Sequence, residues 1–297
     1  MLIEKIGKIS EQIDLLGAVE IPFYLVKGND WALIDAGVSP AIPVLFDQLK
    51  GYPDIETKLK YIILTHSHFD HTGGLSYLLA RFPAVKVIAS RVSSEVFQKP
   101  KAVDYIKSIN QSLAKFAGID FEKLGIKEAP LRVDQVVKEG DKINLGNGVY
   151  LDVYDAPGHS RCSLVYILNP DRALFSGEAI GFYNSPEQIL PEALSSFRDF
   201  IVTLEKLARL PVEMVCLPHG GVLVGDEVKT YFHLAIEWAK KFQAELEDGI
   251  KAGEPDPKIL EKMAEKYYQG KIRLQPKEVF LGNLSAMLMA QRKERTG

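Results

Sequence analysis

The chain has few cysteines, no excess of positive charge and no long apolar run. Its 297 residues include two cysteines, Cys162 and Cys216, which do not make a disulfide framework. The formal net charge is −3, so no overall basic field would attract nucleic acid. No stretch approaches the roughly 20 apolar residues that span a membrane, and residues 1–8 do not resemble a secretory signal. We therefore expect a cytoplasmic protein that binds neither nucleic acid nor a membrane.

Histidine is also scarce, but its placement is not random. Of six histidines, five fall into three segments and only His233 lies elsewhere. The three segments are Thr65-His66-Ser67-His68-Phe69-Asp70-His71, Pro157-Gly158-His159 and Pro218-His219-Gly220. Each follows a short apolar run of strand character, and the last two combine histidine with Pro and Gly. Such clustering indicates a metal site.

The spacing within the first segment has a physical reason. After a buried strand over residues 61–65, His66 and His68 can turn toward one point. Asp70 and His71, on the same loop, can turn toward a second point nearby. Imidazole and carboxylate ligands suit zinc, iron, manganese or cobalt. Two metals roughly 3.5–4 Å apart can clamp both sides of a displacement, so the pattern predicts a two-metal hydrolytic site.

Strand and helix patterns alternate through most of the chain and predict an α/β sandwich with its sheets inside. A hairpin is expected over residues 23–35, and further strands over 61–65, 85–89, 149–154, 163–168, 172–176 and 213–217. Helices are expected over residues 39–51 and 74–82. Residues 91–118 have the pattern of one or two helices that either lie over the metal loop or form a surface insertion. After residue 225 only helices are expected, over 226–249, 256–269 and 276–292.

The motifs resemble the metallo-β-lactamase superfamily, especially its glyoxalase II and lactonase-type branches. The resemblance covers residues 15–225 and rests on five segments: Leu33-Ile34-Asp35-Ala36-Gly37, His66-Ser67-His68-Phe69-Asp70-His71, Pro157-Gly158-His159-Ser160, Phe175-Ser176-Gly177-Glu178 and Leu217-Pro218-His219-Gly220. It implies a four-layer αββα sandwich over residues 1–225. The helices of residues 226–297 are similar to those of a signal-response thioesterase-like branch, and would cover the site or mediate association.

The resemblance also implies the ligands of two divalent ions, zinc first, with iron or manganese as alternatives. Metal 1 would be bound by His66, His68 and His159. Metal 2 would be bound by Asp70, His71 and His219. A carboxylate at Glu178 would bridge the two ions, and Asp35 would orient the ligands from outside.

Glu178 departs from the family pattern, which usually has Asp at this position. The extra methylene extends the reach of the carboxylate by roughly 1.5 Å. Glu178 would therefore bridge both metals, bind one metal in a mononuclear or asymmetric site, or make only a structural contact.

Four residues are candidates for binding the substrate or for taking part in the reaction. Arg161 would hold a carboxylate or phosphate of the substrate, or is a surface arginine. Phe182 and Tyr183 follow Glu178 closely and would line the pocket, where the Tyr183 hydroxyl could donate to a developing oxyanion. Asp70, besides binding metal 2, could accept a proton. Cys162 and Cys216 are expected to be inert buried thiols.

The leading prediction is a metal-dependent hydrolase that uses hydroxide, generated at the metals, on an ester-like bond of a small molecule. A thioester or lactone is favoured as the substrate. The alternatives are a mononuclear-iron enzyme that oxidises sulfur compounds, a phosphodiesterase, and a metal-binding regulatory protein. A diiron electron-transfer role is less favoured, since no flavin-binding domain follows. The apolar tail residues Phe280, Leu281, Leu284 and Met287 would pack either on the core or across a homodimer.

Overall fold

A computed structural model describes residues 1–296. Within them lie sixteen strands: β1 (Leu2–Ile3), β2 (Gly7–Lys8), β3 (Ile13–Ala18), β4 (Ile21–Lys27), β5 (Trp31–Ile34), β6 (Leu59–Ile63), β7 (Lys86–Ser90), β8 (Gln135–Val137), β9 (Lys142–Gly146), β10 (Val149–Asp155), β11 (Leu164–Asn169), β12 (Ala173–Phe175), β13 (Phe182–Ser185), β14 (Gln188–Leu190), β15 (Met214–Cys216) and β16 (Val222–Val224). The same residues form ten α-helices: α1 (Ile42–Leu49), α2 (Ile55–Lys58), α3 (Phe69–Thr72), α4 (Leu75–Arg81), α5 (Arg91–Phe97), α6 (Pro100–Phe116), α7 (Phe197–Leu207), α8 (Asp226–Lys251), α9 (Asp256–Tyr267) and α10 (Lys277–Thr296). Short 3-10 helices span Ser39–Ala41, Gly177–Ile180 and Gly270–Leu274.

Two seven-stranded sheets form the centre of the molecule. One has the strand order β2-β3-β4-β5-β6-β7-β8, and the other has the order β1-β16-β15-β12-β11-β10-β9. The predicted hairpin is present, since β4 and β5 pair antiparallel across the turn at residues 28–30. Strands β5, β6 and β7 pair in parallel, so their carboxyl ends meet at one edge of the sheet.

Alternating side chains give each sheet two buried faces, and three apolar cores result. On β4, Tyr24 and Val26 face the core between the sheets, whereas Phe23 and Leu25 face helices α1 and α4. On β11, Val165 faces a third core that helices α7, α8, α9 and α10 cover. Helices therefore lie outside both sheets, and the predicted αββα sandwich with C-terminal helices is confirmed.

The C-terminal helices share the third core with the sandwich. Phe242 of α8 and Leu284 of α10 are buried in the same cluster as Leu174 and Val215 of the sheet. Phe280, Leu284 and Met287 thus pack within the chain rather than on an exposed face. The division at residue 225 and the homodimer remain predictions. No helix in residues 1–296 is long and apolar enough to cross a membrane.

The prediction for the segment after β6 was partly wrong. Residues 69–72 were expected in a loop, but they form α3, a single helical turn. This turn is held from outside, because Asn110 of α6 donates from Nδ2 to the Phe69 carbonyl at 3.0 Å. Of the two helices in residues 91–118, α6 therefore contacts the segment that carries the metal ligands.

Candidate metal centre

The candidate ligands converge at one end of the sandwich, beyond strand ends. His66 and His68 follow β6, and His71 lies on α3. The other ligands follow strands of the second sheet: His159 lies beyond β10, Glu178 beyond β12 and His219 beyond β15. The structure brings all seven predicted ligands together in two groups whose ligand atoms lie within 4.8 Å of one another: His66, His68 and His159, and then Asp70, His71, Glu178 and His219.

The first group is made of imidazoles alone. His68 Nδ1 and His159 Nε2 lie 2.9 Å apart, and the His66 and His68 rings meet edge to face with centroids 4.6 Å apart. His66 and His159 are almost fully buried. Three nitrogens that face one point in a buried space are a ligand set typical of zinc.

The second group mixes carboxylates with imidazoles. Asp70 Oδ2 lies 3.9 Å from both His71 Nε2 and His219 Nε2. The Phe182 ring borders this group, with its centroid 6.3 Å from that of His219. A cavity of about 20 Å³ also touches Asp70, His71 and His219, which is room for one water molecule.

The Glu178 carboxylate lies between the two groups. Its Oε2 is 3.2 Å from His66 Nε2, and its Oε1 is 3.3 Å from His219 Nε2. His71 Nε2 is 3.0 Å from both oxygens. The 3-10 helix Gly177–Ile180 carries Glu178, and Gly177 starts it at φ 47°, where an added Cβ would meet Thr65 at 2.9 Å. The longer side chain thus occupies a bridging position.

Hydrogen bonds on the outer side fix the tautomers of four imidazoles. Nδ1 of His159 donates to the Glu192 carbonyl at 2.8 Å, and Nδ1 of His219 donates to the Glu20 carbonyl at 2.6 Å. Because a carbonyl oxygen only accepts, Nε2 of both rings keeps its lone pair for the centre.

Asp35 orients the other two imidazoles, those of His71 and His66. It accepts from His71 Nδ1 at 2.8 Å, and from the Thr65 amide and hydroxyl at 2.7 and 2.8 Å. Since the Thr65 hydroxyl donates to Asp35, its oxygen accepts from His66 Nδ1, 3.1 Å away. Asp35 has φ 60°, a left-handed conformation that Asp tolerates better than most residues.

Burial and neighbouring charges shift the pKa values of the histidines in opposite directions. Burial lowers the pKa of His159 to about 3, against the opposing effect of Glu178, and burial also lowers the pKa of His66. Burial would lower the pKa of His71 too, but the carboxylates of Glu178 and Asp35 raise it well above 6.5. The imidazoles in turn hold the pKa of Glu178 well below its usual range, although burial opposes them.

Two buried atoms indicate that the residues fit metal ions. His66 Nε2 and Glu178 Oε2 have no hydrogen-bond partner among the described residues, although they lie 3.2 Å apart. Orphaned polar atoms of this kind are costly inside a protein. Ions between the ligands would satisfy both atoms, so the two groups fit a binuclear metal site.

Comparison with known proteins identifies the family. A family model described as the metallo-beta-lactamase superfamily matches residues 17–219. The chain belongs to this superfamily. It is 28% identical over 262 residues to the metallo-beta-lactamase fold-containing protein ST1585 of Sulfurisphaera tokodaii, covering 86% of this chain and 93% of that protein. It also matches the crystal structure of BJP-1, a subclass B3 metallo-beta-lactamase of Bradyrhizobium japonicum, with a TM-score of 0.60 and 18% identity, covering 83% of this chain and 95% of that one.

Some of the proteins that the chain resembles are longer. The anaerobic nitric oxide reductase flavorubredoxin of Pectobacterium carotovorum is 24% identical over 241 residues. The match covers 74% of this chain but only 42% of the flavorubredoxin.

Arg161 and Tyr183, two of the predicted substrate residues, lie in different surroundings. Arg161 is exposed and lines two surface cavities that no metal ligand lines. Tyr183 stacks on Tyr231, with Lys271 Nζ 5.3 Å from its ring centroid. Burial raises the pKa of Tyr183, and the carboxylates of Glu227 and Glu4 raise it further. The substrate and oxyanion roles of these residues stay predictions.

Cys162 and Cys216 are both buried, in agreement with the prediction of structural thiols. His233, the histidine outside the pattern, lies exposed on α8, 3.4 Å from Glu237.

Sequence reasoning missed three residues that support the centre. Thr65 links Asp35 to His66, and its position directly before the histidine motif was an available signal. Asn110 is a buried polar residue in an amphipathic helix, which is a weak signal. Glu192 belongs to no sequence motif. It is 6% exposed, and its carboxylate accepts a hydrogen bond from Asn283 of α10 at 3.2 Å. Burial, together with the negative charge of Glu178, raises the pKa of Glu192 to about 8.

Proposed function

We propose that the protein is a metal-dependent hydrolase that cleaves an ester-like bond, a thioester or a lactone, in a small molecule. The observation that carries the proposal is the position of Glu178, whose two oxygens face the two ligand groups at 3.2 and 3.3 Å. A carboxylate so placed can bind two ions at once. Paired ions are the arrangement that displacement at a carbonyl or phosphoryl centre uses. The superfamily to which the chain belongs supports the same chemistry.

The ligand residues would divide between two ions. His66, His68 and His159 would hold the first, while Asp70, His71 and His219 would hold the second, with Glu178 shared. Divalent ions bound there would supply Lewis acidity and water with a pKa lowered toward about 7. The absence of cysteine from both groups leaves zinc, iron and manganese as candidates.

The chain's own groups would orient the ligands and accept the proton. Asp35, Glu20 and Glu192 hold imidazole rings through Nδ1, so that each Nε2 lone pair points inward. The Asp70 side chain is 25% exposed, whereas that of Glu178 is 8% exposed. Asp70 is therefore the carboxylate that can exchange a proton with solvent, and we assign it as the proton acceptor during hydrolysis.

The first test combines metal content with hydrolysis. Protein purified without added metal is analysed for its elements and assayed on a thioester, a lactone and a phosphodiester. We expect two ions per chain and thioester or lactone hydrolysis, lost in His66→Ala and His68→Ala. The control is His233→Ala, which removes an exposed histidine outside both groups. This variant should change neither the metal content nor the rate of hydrolysis. Thioester and lactone rates that survive both ligand variants would rule out this site as the catalyst.

A redox function is the second candidate, and the similarity to a nitric oxide reductase flavorubredoxin favours it. The same histidine and carboxylate ligands also suit iron. Metal identity separates the two functions. A single iron per chain, with a second ion bound only in Glu178→Asp, would favour the redox function over hydrolysis.

A further inference from the structure

A second cavity lies outside the metal centre. It has a volume of about 440 Å³, which is in the range of small-molecule sites. Its walls come from the junction of β7 and α5, from β8 and the residues that follow it, and from the segment between the end of β10 and the start of β11. We call it the Arg161 cavity, and its charged wall residues are Arg91, Lys138, Asp141, Asp155 and Arg161.

The wall of the Arg161 cavity carries more positive than negative charge. Within the part of the chain that the structure describes, no ion pair joins Arg91, Lys138 or Arg161 to an acid. Of the two carboxylates in the wall, Asp141 already accepts from the Lys138 amide at 2.9 Å. Three cations against two carboxylates leave the cavity with one excess positive charge.

The floor of the cavity is buried and partly polar. Ser90, Cys162 and Ser163 are 8%, 5% and 6% exposed, and Leu164 and Val137 add apolar surface. A low-dielectric floor beneath a rim of cations focuses the positive potential into the cavity. Guanidinium groups at such a rim match phosphate and carboxylate oxygens with paired hydrogen bonds.

The cavity also adjoins the loops that carry the first ligand group. Cys162 Sγ in its wall lies 3.3 Å from Ser67 Oγ, and Ser67 separates His66 from His68. Pro157, also in the wall, precedes His159 by two residues. A ligand in this cavity would therefore touch the segment that carries His159, and Cys162 alone would separate it from Ser67.

We propose that the Arg161 cavity binds a small molecule with a phosphate or carboxylate group, held by Arg91, Lys138 and Arg161. The proposal does not depend on the hydrolase function, because no metal ligand lines this cavity. It gives Arg161 the anion-binding chemistry that the sequence predicted, but at a site apart from the metals.

The test is titration calorimetry of the metal-loaded protein with phenylphosphonate and with its neutral dimethyl ester. We expect the dianion to bind at least about tenfold more tightly than the ester, since charge-assisted hydrogen bonds carry the affinity. We expect the affinity for phenylphosphonate to fall by about tenfold in each of the variants Arg91→Gln, Lys138→Gln and Arg161→Gln. Lys115→Gln is the matched control, because it removes one exposed positive charge from α6 outside the cavity.

Two outcomes would overturn the proposal. In the first, the three cavity variants bind phenylphosphonate as tightly as Lys115→Gln does. In the second, binding disappears when a chelator strips the metals, which would put the anion on the metal ions. Retention of binding by the stripped protein supports the cavity, whether or not the protein hydrolyses any ester.

Discussion

At the scale of single residues, the two-metal prediction depends most directly on Glu178. Its carboxylate reaches ligand atoms of both groups, and its Oε2 is buried without a hydrogen bond in the described structure. Gln has the same length but no charge, and its amide nitrogen cannot bind a cation. We expect Glu178→Gln to hold one ion per chain where the wild type holds two, as measured by elemental analysis.

The control for this variant is Glu187→Gln, which changes an exposed glutamate and should keep both ions. Two ions retained in Glu178→Gln would mean that Glu178 is not a bridging ligand.

Asp35 acts on the centre through His71 and Thr65 rather than by direct ligation. Asn at this position tolerates the left-handed backbone but carries no charge to polarise the His71 ring. We expect Asp35→Asn to lower the affinity of the second group for its ion by about 10–100-fold, as measured by calorimetric titration. Asp248→Asn, on the exposed side of α8, is the control. An unchanged affinity in Asp35→Asn would leave Asp35 with a purely structural role.

The direct ligands could be predicted from the sequence because they cluster in a recognisable order. The histidine motif follows a strand, and the two isolated histidines stand beside Pro and Gly. Glu192 could not be found in this way. Its burial depends on α10, which lies 91 residues away in the chain and donates to it through Asn283. Contacts of that range leave no local pattern in the sequence.

At the scale of elements, α3 depends on α6. A helix of four residues cannot sustain itself, since a first turn costs more conformational entropy than its hydrogen bonds return. Asn110 supplies the external support: its Oδ1 accepts from the Ser39 amide at 2.8 Å, and its Nδ2 donates to the Phe69 carbonyl. Gly73 is close-packed on it, since an added Cβ would lie 2.0 Å from Asn110 Oδ1. The histidine motif has no helical periodicity, which explains why α3 was predicted as a loop.

Removing this support should affect both stability and metal binding. We expect Asn110→Ala to lower the free energy of unfolding by about 2–4 kcal/mol, because the Ser39 amide and Phe69 carbonyl lose their partner. The affinity for the ion of the second group should fall with it, since α3 carries Asp70 and His71. Denaturant unfolding and metal titration measure the two effects.

The neighbouring variant Gln111→Ala is the control for Asn110→Ala. Gln111 lies on the exposed side of α6, so its loss should change stability by no more than about 0.5 kcal/mol. Equal effects of the two variants would mean that the Asn110 hydrogen bonds do not hold α3.

At the scale of the whole molecule, the layers followed from the alternation of strands and helices, whereas the role of the C-terminal helices did not. Their amphipathic patterns predict a buried face but do not identify the surface it covers. The structure places that face on the outer side of the second sheet, where Val165 and Leu174 complete the same core. Because this core is shared across residue 225, we expect the sandwich and the C-terminal helices to unfold as one cooperative unit.

The two tryptophans allow this cooperativity to be measured. Trp31 lies in β5 of the sandwich, and Trp238 lies in α8 of the C-terminal helices. Trp31→Phe therefore leaves Trp238 as the only fluorescent tryptophan, and Trp238→Phe leaves Trp31. Leu284 is fully buried in the shared core, and we expect Leu284→Ala to cost about 2–5 kcal/mol. Met289→Ala removes a side chain that is 65% exposed and should stay within about 0.5 kcal/mol of the parent.

If the core is shared, Leu284→Ala lowers the denaturation midpoint equally at Trp31 and at Trp238, because neither part unfolds without exposing the other. A lower midpoint at Trp238 alone would instead make residues 226–297 an independently unfolding domain. In that case, the packing of α10 on the sandwich would contribute little to the stability of the sheets. Far-UV circular dichroism of the same samples detects the helices directly, and its transition should coincide with both fluorescence transitions.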